Sequence, residues 1–121
     1  MRLNDIMNLL EAEPLNQKGD FSIDVQCAFA SDLMSDVLAL AKPGSLLITG
    51  LINIQIMRTA SMIDMPAVVF VRGKKPPGET IELAGKLGIP FVLTAKTMFE
   101  TCGLLYEAGI RPCPCSKRWT E

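Results

Sequence analysis

The chain has 121 residues, 49% of them hydrophobic, with a formal net charge of −1 and no histidine. This length suits one domain, and the balanced charge excludes a general electrostatic attraction to nucleic acid or to an anionic membrane. The missing histidine removes the commonest general acid–base group and metal ligand, which argues against an enzyme. No apolar run approaches the ~20 residues that span a bilayer, and no apolar signal core opens the chain. We therefore expect a cytoplasmic protein with no nucleic-acid or membrane partner.

The first part of the chain predicts a helix, a strand and a second helix. Residues 4–12 begin with a potential N-cap, Asn4, and carry apolar side chains at helical spacing. Residues 21–30 alternate between apolar and polar, which is typical of a strand with one buried face. A helix is then expected to begin at Ser31 as its N-cap and to end before Lys42-Pro43-Gly44.

Three short apolar runs dominate the rest of the chain, at residues 46–49, 67–71 and 90–94. Runs that are apolar on both faces suit strands buried between helices. Helical patterns over residues 53–63, 79–87 and 96–108 separate or follow these runs. The prediction is an α/β fold in a compact single domain, with about four mostly parallel strands and flanking helices. The domain is expected to cover residues 1–110, followed by a flexible Cys/Pro-containing tail at residues 111–121.

A ligand site is expected where these strands end. In open α/β sheets, ligands bind outside the carboxyl ends of the strands. The predicted ligand-binding residues at that edge are Ser31, Asp32, Thr49, Gly50, Asn53, Arg72, Gly73, Lys74 and Thr94. Each also has a purely structural interpretation, as a turn, a helix cap or a solvated loop. Neither a Gly-x-Gly-x-x-Gly motif nor a phosphate-loop motif is present, and no cofactor is expected.

Arg72 directly follows four apolar residues, so its guanidinium is expected to be partly desolvated and to need an anionic partner. Asp32 is one candidate, in an internal structural pair. A bound phosphate or carboxylate is the other, with Asn53 and Thr94 completing its cradle.

The four cysteines fall into two groups. Cys27 and Cys102 lie on apolar stripes and are expected in the core. Cys113 and Cys115 flank a proline in the tail and could bind metal or remain free thiols, although zinc sites usually need a second cysteine pair.

The stretch from Ala30 to Leu38, the Leu-Leu-Ile-Thr-Gly strand, Ile54-Gln55 with Thr59-Ala60, and Ile89 to Thr94 together resemble the DRTGG domain family. That family is similar to the amino-terminal domains of HPr kinase and of muramyl-peptide ligases. The resemblance covers about residues 20–108. It implies a regulatory or ligand-sensing α/β domain that self-associates, with nucleotide contact at the strand ends.

This chain departs from the motif that names the family. Leu51-Ile52 stands where the family often has Asp-Arg, and Val71-Arg72-Gly73 aligns with Thr-Gly-Gly. Leu51 and Ile52 could instead belong to a protein contact surface.

Two hypotheses result. The first is a non-enzymatic regulatory domain that binds a nucleotide or another small anion. The alternative is a homodimeric interaction module without a ligand of its own, which docks through Leu51, Ile52 and the tail on a larger redox enzyme of the iron-only hydrogenase type.

Overall fold

The computed structural model of the chain describes residues 1–16 and 20–113. Residues 17–19 and most of the predicted tail, including Cys115, lie outside the described residues. Five helices are present in the described part: Leu3–Leu10 (α1), Met34–Leu40 (α2), Ile54–Met62 (α3), Gly78–Leu87 (α4) and Met98–Glu107 (α5). Its strands are Glu13–Pro14 (β1), Cys27–Ala30 (β2), Leu46–Thr49 (β3), Val68–Phe70 (β4), Phe91–Leu93 (β5) and Arg111–Pro112 (β6).

The strands form one sheet in the order β1-β5-β4-β3-β2-β6. Every pairing is parallel except that of β1 with β5. The predicted α/β fold with a mostly parallel sheet is therefore confirmed. The described residues contain six strands rather than about four. The two additional strands, β1 and β6, have two residues each and lie at the two edges of the sheet. Each of these edge strands contains a proline, Pro14 or Pro112, which is tolerated at an edge because it needs no ladder donor there.

The three central strands β3, β4 and β5 are buried along their whole length, as their two-sided apolar composition indicated. Alternating side chains enter two separate cores. One core lies beneath α1 and α5 and includes Leu3, Ile48 and Leu105. The other lies beneath α2, α3 and α4, where the rings of Phe70 and Phe91 stack with centroids 6.0 Å apart. Helices on both faces of the sheet thus bury the parallel strands.

The predicted strand over residues 21–30 is shorter than expected. Only its last four residues join the sheet, while the carbonyls of Phe21 and Ile23 accept hydrogen bonds from Asn4 and Leu3 at the start of α1. The backbone of residues 21–23 therefore binds the start of α1 instead of a neighbouring strand.

Helix α2 also differs from its prediction. Its N-cap is Leu33, which has no side chain that can cap, and the helix begins at Met34. The hydroxyl of Ser31 instead accepts a hydrogen bond from the Leu33 amide in a local turn, at 3.0 Å. Within α2 only Val37 is fully buried, whereas Leu33, Leu38 and Leu40 are 56%, 52% and 49% exposed.

Within the described residues, no helix combines the length and apolar character needed to cross a bilayer.

Candidate functional site at the carboxyl edge of the sheet

The carboxyl ends of β2, β3, β4 and β5 meet at one edge of the sheet because these strands run parallel. At that edge the structure brings three of the predicted residues together. Asp32 follows β2, Gly50 follows β3, and Arg72 lies just beyond β4. The strands β2, β3 and β4 are neighbours in the sheet, so these three residues meet although they are far apart in sequence.

Gly50 is the point where the three residues meet. Its N–H donates a hydrogen bond to Oδ1 of Asp32 at 2.6 Å. A Cβ atom at this position would lie 2.2 Å from Nη2 and 2.9 Å from Cζ of Arg72. The guanidinium of Arg72 therefore lies directly against the backbone of residue 50, and a side chain at this position would displace it.

Arg72 has an unusual backbone conformation. Its φ of 67° and that of Gly73, 64°, both lie in the left-handed region. The amides of Arg72 and Gly73 donate to the carbonyls of Lys96 and Thr94, each at 2.8 Å. A non-glycine residue pays a steric cost in this region, so the turn is held by these bonds and aims the Arg72 side chain towards Gly50.

The Arg72–Asp32 ion pair is long and open. Nη2 of Arg72 lies 3.7 Å from Oδ2 of Asp32, and the two side chains are 49% and 45% exposed. The left-handed turn carries the Arg72 side chain out of the line of the buried strand and leaves it about half exposed. A half-exposed pair with a single long contact contributes little to stability, and the exposed part of the guanidinium stays accessible to an anion.

Three other predicted residues use their side chains on the local backbone. Oδ1 of Asn53 accepts a hydrogen bond from the Ile56 amide as the N-cap of α3, and Oγ1 of Thr49 accepts one from the Leu51 amide. Ser31 stabilises the turn before α2, as described above. These residues shape the turns at the sheet edge.

Thr94 and Lys74 lie at the two extremes of exposure. Thr94 is buried, and its hydroxyl donates to the carbonyl of Leu10 at 2.7 Å. The side chain of Thr94 therefore fastens α1 to β5, and it does not complete an anion cradle beside Asn53 as the sequence had indicated. Lys74 is exposed in the loop between β4 and α4, which places a cation one residue beyond the left-handed pair.

Leu51 and Ile52 follow Gly50 at this edge. Both are half-buried and pack against the core beneath α2, α3 and α4. The exposed large apolar side chains of the described residues lie elsewhere, on or beside α2, α3 and α5.

A pair of cysteine thiols lies close together where β2 and β6 meet. Sγ of Cys113 and Sγ of Cys27 are 3.3 Å apart. Burial and the neighbouring Cys113 thiol raise the pKa of Cys27 to about 11, and burial also raises the pKa of Cys102. Both thiols are half-buried rather than fully in the core. The described residues contain no group of three or more side chains arranged to hold a metal ion.

Asn16, just after β1, is a buried polar residue that links distant parts of the chain. Its amide nitrogen donates to the carbonyls of Ile89 at 2.8 Å and Ala84 at 3.3 Å, and its Oδ1 accepts from the Phe91 amide at 3.0 Å. No local pattern marks this role, because all three partners lie about 70 residues later in the chain.

No protein-family model matches the chain, and no curated protein matches it by sequence. Comparison of structures does identify its fold class: the chain has the α/β fold of a DRTGG-like domain. It is similar to the CBS and DRTGG domains of the regulatory region of Clostridium perfringens pyrophosphatase, whose crystal structure is complexed with an activator, diadenosine tetraphosphate. The TM-score is 0.73 with 19% sequence identity, over 92% of this chain and 47% of that one. The present chain thus spans about half the length of that regulatory region.

Proposed function

We propose that this protein is a non-enzymatic, cytoplasmic regulatory domain that binds a nucleotide or another small anion at the carboxyl edge of its sheet. The observation that supports this most directly is the placement of the half-exposed Arg72 guanidinium against Gly50, from a left-handed turn. Unfavourable backbone conformations that the surrounding structure maintains are concentrated at functional sites.

The chemistry of these groups favours an anionic ligand. A guanidinium presents planar donors that match a phosphate or carboxylate in a bidentate contact. In the structure, the Asp32 carboxylate takes the Gly50 N–H and lies near the same guanidinium. A ligand oxygen that approached Arg72 would therefore meet a site already suited to a carboxylate, with Asp32 as its internal competitor.

Further positive character surrounds this site. Asn53, three residues after Gly50, is the N-cap of α3, so the amino end of the helix dipole lies at the same edge. Lys74 adds an exposed cation from the next loop. The proposed ligand contacts are accordingly Arg72, Gly50, Lys74 and the start of α3, with Ser31, Thr49 and Gly73 shaping the turns.

The structural neighbour supports a regulatory role and a nucleotide as the first ligand class to test. It is a regulatory region crystallised with a dinucleoside polyphosphate activator. A ligand of that type carries several phosphates, which are the groups that Arg72 and Lys74 would recognise.

The test is a thermal-shift series on the whole chain with inorganic phosphate, ADP, ATP and diadenosine tetraphosphate, each at millimolar concentration. A ligand that binds only the folded state raises the melting temperature, by an amount equivalent to about 2.7 kcal/mol at 100 times its Kd. We expect a nucleotide to raise it and phosphate alone to do so less.

Two variants locate the response. Arg72→Ala should abolish the ligand-induced shift, whereas Lys86→Ala removes the same charge from the carboxyl-terminal turn of α4, at the opposite edge of the sheet, and should preserve it. The proposal is wrong if no compound in the series shifts the wild-type protein, or if both variants respond equally.

Self-association is a second candidate function, which the exposed leucines of α2 favour. Leu33, Leu38 and Leu40 are each about half exposed on or beside one short helix, and exposed large apolar side chains are a feature of contact surfaces. Sedimentation at tens of micromolar should show a dimer, and Leu38→Lys should convert it to a monomer without lowering the melting temperature. A monomeric wild-type protein at this concentration would eliminate the homodimer.

Docking on a redox enzyme stays a prediction from the resemblance.

A further inference from the structure

We infer that Cys27 and Cys113 form a reversible thiol–disulfide switch, which a low-molecular-weight disulfide closes and which fastens strand β6 to the sheet. This inference does not depend on the proposed ligand site, since Cys27 lies at the amino end of β2 whereas that site lies at the carboxyl ends of the strands.

The backbone places the two thiols together. Strands β2 and β6 are parallel, with Cys27 opposite Arg111 and Ala28 opposite Pro112. Cys113 directly follows this short ladder, and side chains two residues apart on a strand point to the same face. The two sulfurs are 3.3 Å apart although 86 residues separate them in the chain. A disulfide bond measures about 2.05 Å, so a movement of roughly 1.3 Å would join them.

The reaction is a two-step exchange. The Cys113 thiolate attacks one sulfur of the small disulfide, forms a mixed disulfide and releases one thiolate. The Cys27 thiol then loses its proton, attacks the Cys113 sulfur and expels the second small thiol. Two electrons and two protons pass from the protein thiols to the oxidant, which leaves as two thiols. Burial raises the pKa of Cys27, so Cys113 is the thiol that reacts first. The second step relies on geometry, because the attacked Cys113 sulfur is already held beside Cys27.

Closure of this bond has a structural consequence for the protein surface. In the reduced state, β6 is attached to β2 through only two residue pairs. The side chains of Arg111 and Pro112 also line one wall of an apolar groove of about 160 Å³ between the sheet and α5. The disulfide would hold that wall of the groove in place.

The experiment uses the native full chain. It is incubated with glutathione disulfide, the remaining thiols are alkylated, and peptide mapping by mass spectrometry locates the bonds. We expect a Cys27–Cys113 link that dithiothreitol reverses, and a rise in melting temperature of about 5 °C or more, because the bond closes a long loop.

Variants distinguish this bond from its competitors. Cys27→Ser and Cys113→Ser should each abolish the temperature rise, while Cys102→Ser, on α5, should retain it. Reduced samples of each variant show that the fold is intact. A Cys113–Cys115 link, a persistent mixed disulfide with glutathione, or oxidation that leaves the melting temperature unchanged in the wild-type protein would each overturn the inference.

Discussion

Arg72 combines a strained backbone with an accessible charge, and these two properties can be separated by mutation. Its φ of 67° is a conformation that glycine adopts without steric cost. Arg72→Gly should therefore raise the free energy of unfolding by on the order of 1 kcal/mol while abolishing the nucleotide-induced thermal shift. Urea titration measures the first effect and the thermal-shift series the second.

Asp64 supplies the matched control for this prediction. Its φ is 59°, but aspartate tolerates the left-handed region better than arginine does. Asp64→Gly should give a smaller gain in stability and leave the ligand response unchanged. If Arg72→Gly instead destabilises the protein by more than 1 kcal/mol, the pair with Asp32 is structural.

Asp32 is the second residue whose role is open to a direct test. It offers one oxygen to the Gly50 N–H and the other to Arg72, so it occupies the donors that a ligand anion would use. Asp32→Asn keeps an acceptor for Gly50 and removes the charge. One unit charge about 4 Å away contributes ~1 kcal/mol in water, so a nucleotide that binds the wild type should bind this variant about fivefold more tightly by calorimetry.

Asp36 serves as the control for the charge change, since it is an exposed carboxylate on the first turn of α2. Asp36→Asn should alter the nucleotide Kd less than Asp32→Asn does. Weaker binding by Asp32→Asn would show that the Asp32 carboxylate contacts the ligand as a hydrogen-bond acceptor.

At the scale of elements, helix α5 depends on a capping box at its start. The Thr97 hydroxyl accepts from the Glu100 amide at 3.2 Å, and the Glu100 carboxylate accepts from the Thr97 amide at 3.0 Å. The bond from the Thr97 amide, followed by that from its hydroxyl, holds the pKa of Glu100 below its ordinary value. This reciprocal arrangement satisfies two backbone donors that the helix leaves free.

The lowered pKa of Glu100 predicts a pH dependence with a definite sign. Because the folded-state pKa is below the unfolded one, the stabilisation is complete above the ordinary glutamate pKa of about 4.3. It is lost as the pH falls through the lowered folded-state value. Wild type should therefore be more stable than Glu100→Gln at pH 7, and the difference should shrink towards zero at pH 3. A difference that is independent of pH in urea titrations would contradict the capping role of the charge.

At the scale of the whole molecule, Asn16 joins the amino-terminal segment to the end of α4 and the start of β5. Its three hydrogen bonds reach Ala84, Ile89 and Phe91, and Asn16 itself is 7% exposed. Asn16→Ala would leave buried backbone groups without partners, so we expect a loss of about 2 kcal/mol in the free energy of unfolding.

The matched control for Asn16 is Asn8→Ala, a change at an exposed position of α1. It should stay within about 0.5 kcal/mol of wild type. Equal losses for the two variants, or a separate early transition for Asn16→Ala, would show that residues 1–16 fold independently of the rest.

The predictions from sequence were most accurate where burial constrains a residue on every side. The runs at residues 46–49, 67–71 and 90–94 could be identified as central strands because an interior parallel strand must be apolar on both faces. The intervening helices followed because parallel strands need long crossovers. The edge strands β1 and β6 escaped detection, since two residues carry no period and each contains a proline.

For the candidate site, the sequence determined which residues follow each strand, and therefore that Asp32, Gly50 and Arg72 lie at one edge. It could not determine that Arg72 turns back over Gly50, that Thr94 faces α1, or that Cys27 meets Cys113. Each of these depends on contacts between residues distant in the chain, which local periodicity does not encode. The amino-acid sequence alone thus determined the α/β architecture, through the pattern of apolar burial. Only the tertiary structure decided the chemistry at the sheet edges, because side-chain contacts there are set by strand order and turn geometry.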